Sequence, residues 1–389
     1  MPVSAGYRII PLTRQIEKTK DMFIKGRPID FSRVRKVLLI QLGDIGDVVW
    51  TEPTIRAFRE TFPSLEVSVL TRGGFGELLE AHPDVRRVFN VAGAKGGLLA
   101  EIPAQSALVG ALRRESFDVV FDLRAGDRGA LMARLTGAPV RVSHYYTQDI
   151  PFWRNSLFTH IVHPPPLETL VQGAAEQTLG IVRAFGIDTK DRAPGLRVSE
   201  KVKARVSVIL RDAGLEAAVR WVSVNPFSRW PYKEWPHERW APVLDALWER
   251  HRLAAVLVGA PEESGKSARL ASRLAGPVFD LVGKTTLAEL AGVLSRAVFH
   301  VGVDSAAPHI AAAVGVPTVI LYGPSDWRYW APPGDRHLVV APGDSCAPCF
   351  QKGCEGRGWS RCLEEMPVER VWAAVERMAE RLAPGSAQP

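Results

Sequence analysis

Five stretches of the chain place reactive side chains beside a tight turn or a helix start. The first is Gln41-Leu42-Gly43-Asp44-Ile45-Gly46-Asp47, which follows an apolar strand-like run and precedes a helical pattern. Two glycines permit a close strand-to-helix turn. Asp47 then stands at the helix start, either as a proton acceptor or as a helix cap, a common task for Asp. The spacing lacks the G-x-G-x-x-G of a dinucleotide site. The second is Asn225-Pro226-Phe227-Ser228-Arg229-Trp230-Pro231-Tyr232-Lys233-Glu234-Trp235-Pro236. Two cations in a long loop after a strand suit an anion such as a pyrophosphate, although Lys233 also reads as a solvated charge. Trp230, Trp235 and Trp240 read as packing.

The third stretch runs from Val303 through Asp304, Ser305, Ala306, Ala307 and Pro308 to His309. Ser305 caps a helix of small residues, with Pro308 in its first turn. Free amides there form a phosphate site. Asp304 would repel a phosphate and suits sugar hydroxyls. His309 donates to an anion or serves as a structural histidine. The fourth, Ala260-Pro261-Glu262-Glu263-Ser264-Gly265-Lys266-Ser267, formally resembles a nucleotide-binding P-loop. Two glutamates beside the phosphates and Ala-Pro in place of the first Gly speak against that. A carboxylate there fits a ribose diol. The fifth is Cys346, Cys349, Cys354 and Cys362. This spacing is compatible with zinc or an iron–sulfur group but is not a usual zinc-finger spacing, so free thiols or a structural clip are the simpler readings. No Asp-x-Asp occurs in the chain. A sugar transferase of this sequence therefore relies on cations and helix amides at the leaving diphosphate.

Short β-rich runs alternate with helical periodicity, which predicts α/β architecture with parallel sheets. Strands are expected at Val37–Gln41, Val67–Leu70, Val119–Asp122 and Val140–Ser143. A second series is expected at Trp221–Asn225, Ala254–Gly259, Val278–Leu281, Phe299–Val303 and Thr318–Tyr322. Residues 144–168 read as irregular. Two doubly wound domains are expected, with their boundary between 190 and 215. Ligands of such sheets bind at the carboxyl ends of the strands, and two facing sheets would hold one in a central cleft.

With 389 residues, 46% hydrophobic and 23% charged, the composition is globular and excludes a disordered or fibrous chain. The net charge of +7 is concentrated at the start: residues 1–36 hold nine Lys/Arg and three acids. The remainder is nearly neutral, which argues against a nucleic-acid partner. No apolar run has the ~18–20 residues of a membrane span, and no signal-peptide core is evident. A cytoplasmic protein is expected, its thiols reduced.

Together these motifs resemble those of the ADP-heptose:lipopolysaccharide heptosyltransferases, inverting glycosyltransferases of family 9 with the GT-B fold. The resemblance rests on Val37–Val49 with Pro53, Arg56 and Thr61-Phe62-Pro63, on Lys233-x-Trp235-Pro236, on Val258-Gly259-Ala260, and on Val301-Gly302-Val303-Asp304-Ser305 with His309. Gly315-x-Pro317-Thr318 and Tyr322-Gly323-Pro324-Ser325-Asp326 extend it. It spans about residues 36–382 and implies a role for each matching position. Asp47 becomes the catalytic base. Lys233 contacts the donor phosphates. Asp304, Ser305, Ala306 and His309 form the donor-binding helix start. Glu263, or else Glu262, binds the ribose. Ser228, Arg229 and Thr285 are further donor contacts.

The resemblance also implies ADP-heptose as donor, a lipid-linked core oligosaccharide as acceptor, and neither cofactor nor metal. It departs from the family at Gln41, often Arg there, at Ser143, where a Gly is expected, and in the loop around Gly93–Gly97. The basic extension is also atypical. The domains expected are the extension 1–36, an acceptor-side Rossmann-like domain 37–195, a donor domain 196–366 and a C-terminal helix and tail 367–389. The extension either packs on the body or holds the enzyme peripherally to anionic inner-leaflet lipid, at about 1 kcal/mol per basic residue. Competing readings are a sugar-nucleotide epimerase of the same architecture, a P-loop NTPase using Lys266, and a non-catalytic sugar-nucleotide-binding protein.

Overall fold

The computed structural model describes residues 22–91, 98–145, 152–164, 173–343 and 346–383. The chain divides into two compact units, residues 1–192 and 193–389.

The first unit carries a seven-stranded sheet in the order β1-β7-β6-β5-β2-β3-β4. Its strands are β1 Phe23–Lys25, β2 Lys36–Gln41, β3 Glu66–Arg72, β4 Val85–Val91, β5 Val119–Asp122, β6 Val140–His144 and β7 His160–Val162. Helices α1 Ile45–Val49, α2 Glu52–Thr61, α3 Leu98–Glu115, α4 Asp127–Leu135, α5 Phe152–Ser156 and α6 Gly173–Arg183 connect them. All pairs are parallel except β1 with β7. β2 and β5 are buried almost throughout, as apolar runs in a sheet covered on both faces must be.

The second unit has a six-stranded, wholly parallel sheet in the order β10-β9-β8-β11-β12-β13. Its strands are β8 Trp221–Asn225, β9 Ala254–Leu257, β10 Val278–Asp280, β11 His300–Val303, β12 Thr318–Leu321 and β13 His337–Val340. Its helices are α7 Glu200–Asp212, α8 Trp240–His251, α9 Ser264–Ala271, α10 Leu287–Leu294, α11 Ala306–Ala313, α12 Trp327–Trp330, α13 Arg361–Glu364 and α14 Val368–Arg381. Trp235 and Trp240 are fully buried and meet edge to face at 5.3 Å, so two of the three tryptophans are packing. Trp230 is exposed, stacked on Tyr232.

Both sheets reverse direction at one point. In the first, the chain winds outward from β2 through β3 to β4 and returns to place β5 on the other side of β2. In the second, it winds from β8 through β9 to β10 and returns with β11. The carboxyl ends of β2/β5 and of β8/β11 are the switch points at which open α/β sheets bind ligands.

The expected strands are all present. β1, β4, β7 and β13 were not foreseen. Arg86 and Arg87 break the apolar run of β4. β7 is three residues long at a sheet margin, and with α5 it gives order to part of the stretch read as irregular. Division of the chain at residue 36 does not match the structure: from residue 22 onward the extension belongs to the first unit. β1 pairs with β7. Phe31 is buried, stacked on Phe62 at 5.0 Å and near Phe58 and Phe185, while Phe23 meets Phe185 edge to face at 5.2 Å. Five of the nine basic residues of the extension lie in this packed part (Lys25, Arg27, Arg33, Arg35, Lys36). The remaining arm, residues 1–21, and the loop Gly93–Gly97 lie outside the described residues. Phe31→Ala is expected to destabilise the first unit by about 3 kcal/mol; a urea-unfolding loss below about 1 kcal/mol would show that this aromatic cluster contributes little.

Candidate active site

In the first unit the loop after β2 is built around Gln41 and Asp47. Gln41 is buried; its Oε1 accepts the Gly43 N–H at 3.1 Å and its Nε2 donates to Thr51 Oγ1 at 3.1 Å. The residue that departs from the expected Arg thus braces the turn. Asp44 is the N-cap of α1, and Asp47 Oδ2 accepts the Asp44 N–H at 2.8 Å. This reciprocal arrangement is a capping box. Gly43 makes it possible: a Cβ there would lie 2.3 Å from Asp47 Oδ2. The second oxygen, Oδ1, accepts from Arg124 Nη1 at 3.2 Å. Asp47 is 8% exposed and Arg124 is half-exposed. The helix cap and the carboxylate paired with Arg124 are therefore the same group, with one oxygen turned to each contact.

Arg124 was not foreseen. It follows β5, and the turn that carries it is tied to Asp122, whose carboxylate accepts the Arg124 N–H at 3.3 Å. Ala125, buried, takes a left-handed backbone (φ +60°), a costly conformation for a residue with a Cβ. Asp122 is fully buried and paired with the equally buried Arg154 at 3.5 Å. Burial raises the Asp122 carboxyl to about 6, while Arg154 and the turn N–H groups pull it down. Ser143, the second departure from the family pattern, accepts from Arg154 Nη2 at 2.8 Å, a bond a glycine would not provide. Burial, with Arg154 and Arg124 nearby, holds His144 down at about 4, so its ring is neutral at pH 7.

In the second unit, residues from the two switch-point loops meet. Lys233 Nζ donates to Asp304 Oδ2 at 2.6 Å, and His309 Nε2 lies 3.9 Å from Asp304 Oδ1. Burial opposes the Asp304 charge, but Lys233 and then His309 more than offset it, holding the carboxyl far below its usual range. Ser305, the N-cap of α11, donates through Oγ to Asn225 Oδ1 at 2.6 Å, and Asn225 Nδ2 donates to the Val258 carbonyl at 2.8 Å. The amides of Ala306 and Ala307 open the helix beside Lys233, a place suited to a phosphate.

A second network centres on Glu234. It accepts the Ser228 N–H at 2.9 Å, Lys266 Nζ at 2.8 Å and His237 Nε2 at 3.0 Å. Lys266 is thus engaged by a carboxylate, and the Gly265-Lys266-Ser267 run lies within α9, with Ser267 buried. Glu263 is half-buried and accepts the Ala260 N–H at 2.7 Å, whereas Glu262 is exposed. Burial and the nearby Glu234 raise the Glu263 carboxyl. Arg229 is exposed over the Trp230 ring. Thr285 is half-buried in the loop before α10. The structure therefore joins Lys233, Asp304, Ser305 and His309, brings Ser228 and Glu263 to the Glu234–Lys266 network, and leaves Arg229 and Thr285 at its margin.

Cys362 is buried, and its thiol is pushed up to about 11 by burial and then by the thiols of Cys346, Cys349 and Cys354. Among the described residues no group of three or more His, Cys, Asp or Glu is placed to hold a metal ion. No described helix is long and apolar enough to cross a membrane.

The model of glycosyltransferase family 9 (heptosyltransferase) matches residues 106–360. The chain belongs to this family. It is an enzyme, a glycosyltransferase with the GT-B fold. It is similar to lipopolysaccharide heptosyltransferase 3 of Escherichia coli, 28% identical over 305 residues, covering 77% of this chain and 86% of that protein. Among solved structures, a family 9 glycosyltransferase from Veillonella parvula has a TM-score of 0.76 at 21% identity, covering 92% of this chain and 99% of that one. The E. coli heptosyltransferase WaaC solved with ADP has a TM-score of 0.67 at 22% identity, covering 90% and 100%.

The family 9 enzyme should lose the Asp304 contribution in acid. The folded carboxyl lies below its unfolded value, so its stabilisation is present above about pH 4 and is lost as the pH falls further. Asp304→Asn leaves Lys233 without its buried partner and should cost about 3 kcal/mol at pH 7. That gap should narrow by about 1 kcal/mol between pH 4 and pH 3. Urea unfolding at each pH tests this, and a gap independent of pH would mean that Asp304 is not held ionised by Lys233.

Proposed function

We propose that this transferase moves heptose from ADP-heptose to a sugar hydroxyl of a lipid-linked lipopolysaccharide core, with inversion at the anomeric carbon. The observation that carries this reading is the pair of switch-point sites: a buried, oriented carboxylate after β2 in one unit and a cation beside a helix start after β8 and β11 in the other. The names of the similar proteins support it: lipopolysaccharide heptosyltransferases, one of them solved with ADP.

In this reading Asp47 accepts the proton of the attacking hydroxyl as general base. The oxygen forms its bond to the anomeric carbon as the bond to the diphosphate breaks, and ADP leaves with the electron pair. Lys233 and the amides at Ser305 and Ala306 stabilise that charge. Lys233 is already fixed at the right strand end by Asp304. Asp304 and His309 hold the helix-start contacts, and Glu263 takes the ribose hydroxyls. Ser228, Arg229 and Thr285 are further donor contacts. The P-loop reading is disfavoured because Glu234 occupies Lys266.

Asp47→Asn should lower kcat by about 10²–10⁴-fold while leaving ADP affinity unchanged. Heptose gain on truncated core acceptors, read by mass spectrometry, measures the first, and calorimetry the second. Normal turnover in this variant rules out Asp47 as the base. Lys233→Ala should weaken ADP binding by about tenfold or more; unaltered affinity would remove Lys233 from the phosphate site.

A further inference from the structure

Beside Asp47 the first unit contains a cavity of about 230 Å³ whose walls include Arg72, Arg124 and Arg128. The three come from different elements. Arg72 ends β3, Arg124 follows β5, and Arg128 lies in the first turn of α4. A space this small admits a charged substituent rather than a whole oligosaccharide. Two acids also line it. Asp122 is one, fully buried and already paired with Arg154. The start of α4 lies directly against it because position 129 is glycine: a Cβ there would come within 2.5 Å of Asp122 Oδ1. Asp127, in the first turn of α4, is the other acid. Further out, Asp44 pairs with Arg72, and Asp47 with Arg124.

Two of these guanidiniums thus serve two places, and the one that matters for Asp47 is Arg124. Arg124 lines the cavity and also holds Oδ1 of Asp47, while Oδ2 is committed to the Asp44 N–H. Each oxygen already accepts one hydrogen bond, and the Arg124 charge against Oδ1 opposes transfer of a proton to it. An anion in the cavity offers Arg124 a bidentate partner, and the half-exposed side chain has room to turn towards it. We propose that the cavity receives an anionic group of the acceptor, a phosphate or a carboxylate, and that Arg124, drawn to that group, releases Asp47 Oδ1 to act as base. The charged acceptor thereby switches on the residue that activates it, and Arg124 becomes a positioning residue that selects for acceptor charge. This rests on the transfer reading above.

Two measurements on the full chain separate the pocket from the switch. Calorimetry with mannose, mannose 6-phosphate and glucuronate tests the pocket. At least one charged sugar should bind while mannose does not, and Arg128→Ala should weaken that binding about tenfold. The phosphate and carboxylate arms tell which anion is taken. Charged sugars that bind no better than mannose overturn the proposal. Turnover with ADP-heptose on core acceptor, intact, dephosphorylated or carboxyl-reduced, tests the switch. Removing the recognised anion should lower wild-type kcat at least about tenfold. Arg124→Ala should be insensitive to that removal and faster than wild type on the neutral acceptor, since Asp47 is no longer tied. A variant equally slow on every acceptor overturns the switch. If wild type transfers heptose to none of them while charged sugars still bind, the transfer reading and the switch both fall and the anion pocket stands.

Discussion

The switch point of a doubly wound sheet is the constraint on which both units depend. Winding outward from a central strand and returning on its other side leaves two neighbouring loops that diverge at the carboxyl edge. Each unit joins those loops by an ion pair: Asp47 after β2 with Arg124 after β5, and Lys233 after β8 with Asp304 after β11. The sign is reversed between the units. In the first the carboxylate belongs to the loop of the inner strand, and in the second the ammonium does. In the function proposed here, the same topology serves a proton acceptor in one unit and a departing anion in the other.

Pairing has a physical cause. Asp47 and Asp304 are almost fully buried, and an ionised group at that depth without a partner costs several kcal/mol. The fold satisfies each of these buried charges with an internal counterion. Any ligand group that binds either charge must therefore replace or share the internal partner rather than fill a vacant place. In the proposed reaction Lys233 would meet a diphosphate by sharing itself with Asp304, and Asp47 a hydroxyl by giving up part of its hold on Arg124. Exchange of partners costs less than desolvating a charge at the moment of binding, and such sites are preorganised for that reason.

What was legible in the sequence was local. Asp47 within its glycine turn, and Asp304 and Ser305 at a strand-to-helix junction, carry their context within a few residues, so motif and element order place them at strand ends. The partners were not legible. Arg124 lies 77 positions from Asp47, Arg154 lies 32 from Asp122, and Lys266 lies 32 from Glu234. Nothing in the periodicity of β5 marks the arginine two residues past its end as different from any solvated charge. The same distance effect explains Lys266: its Gly-Lys-Ser context imitates a phosphate loop, while its actual partner belongs to another strand's loop. Gln41 and Ser143, which looked like departures, are accommodated by bonds that only the folded chain reveals.

The short antiparallel strand β1 has a consequence for handling the protein. Parallel sheets end in a strand whose outer N–H and C=O groups can recruit another chain, and β7 would be such a strand. β1 covers it, anchored by the Lys25 ammonium on the Phe158 carbonyl at 2.6 Å and by Phe23 and Phe31 in the aromatic cluster. A chain shortened past residue 26 would expose both a raw sheet margin and an apolar face, inviting self-association. A chain shortened only to residue 21 would keep its seal.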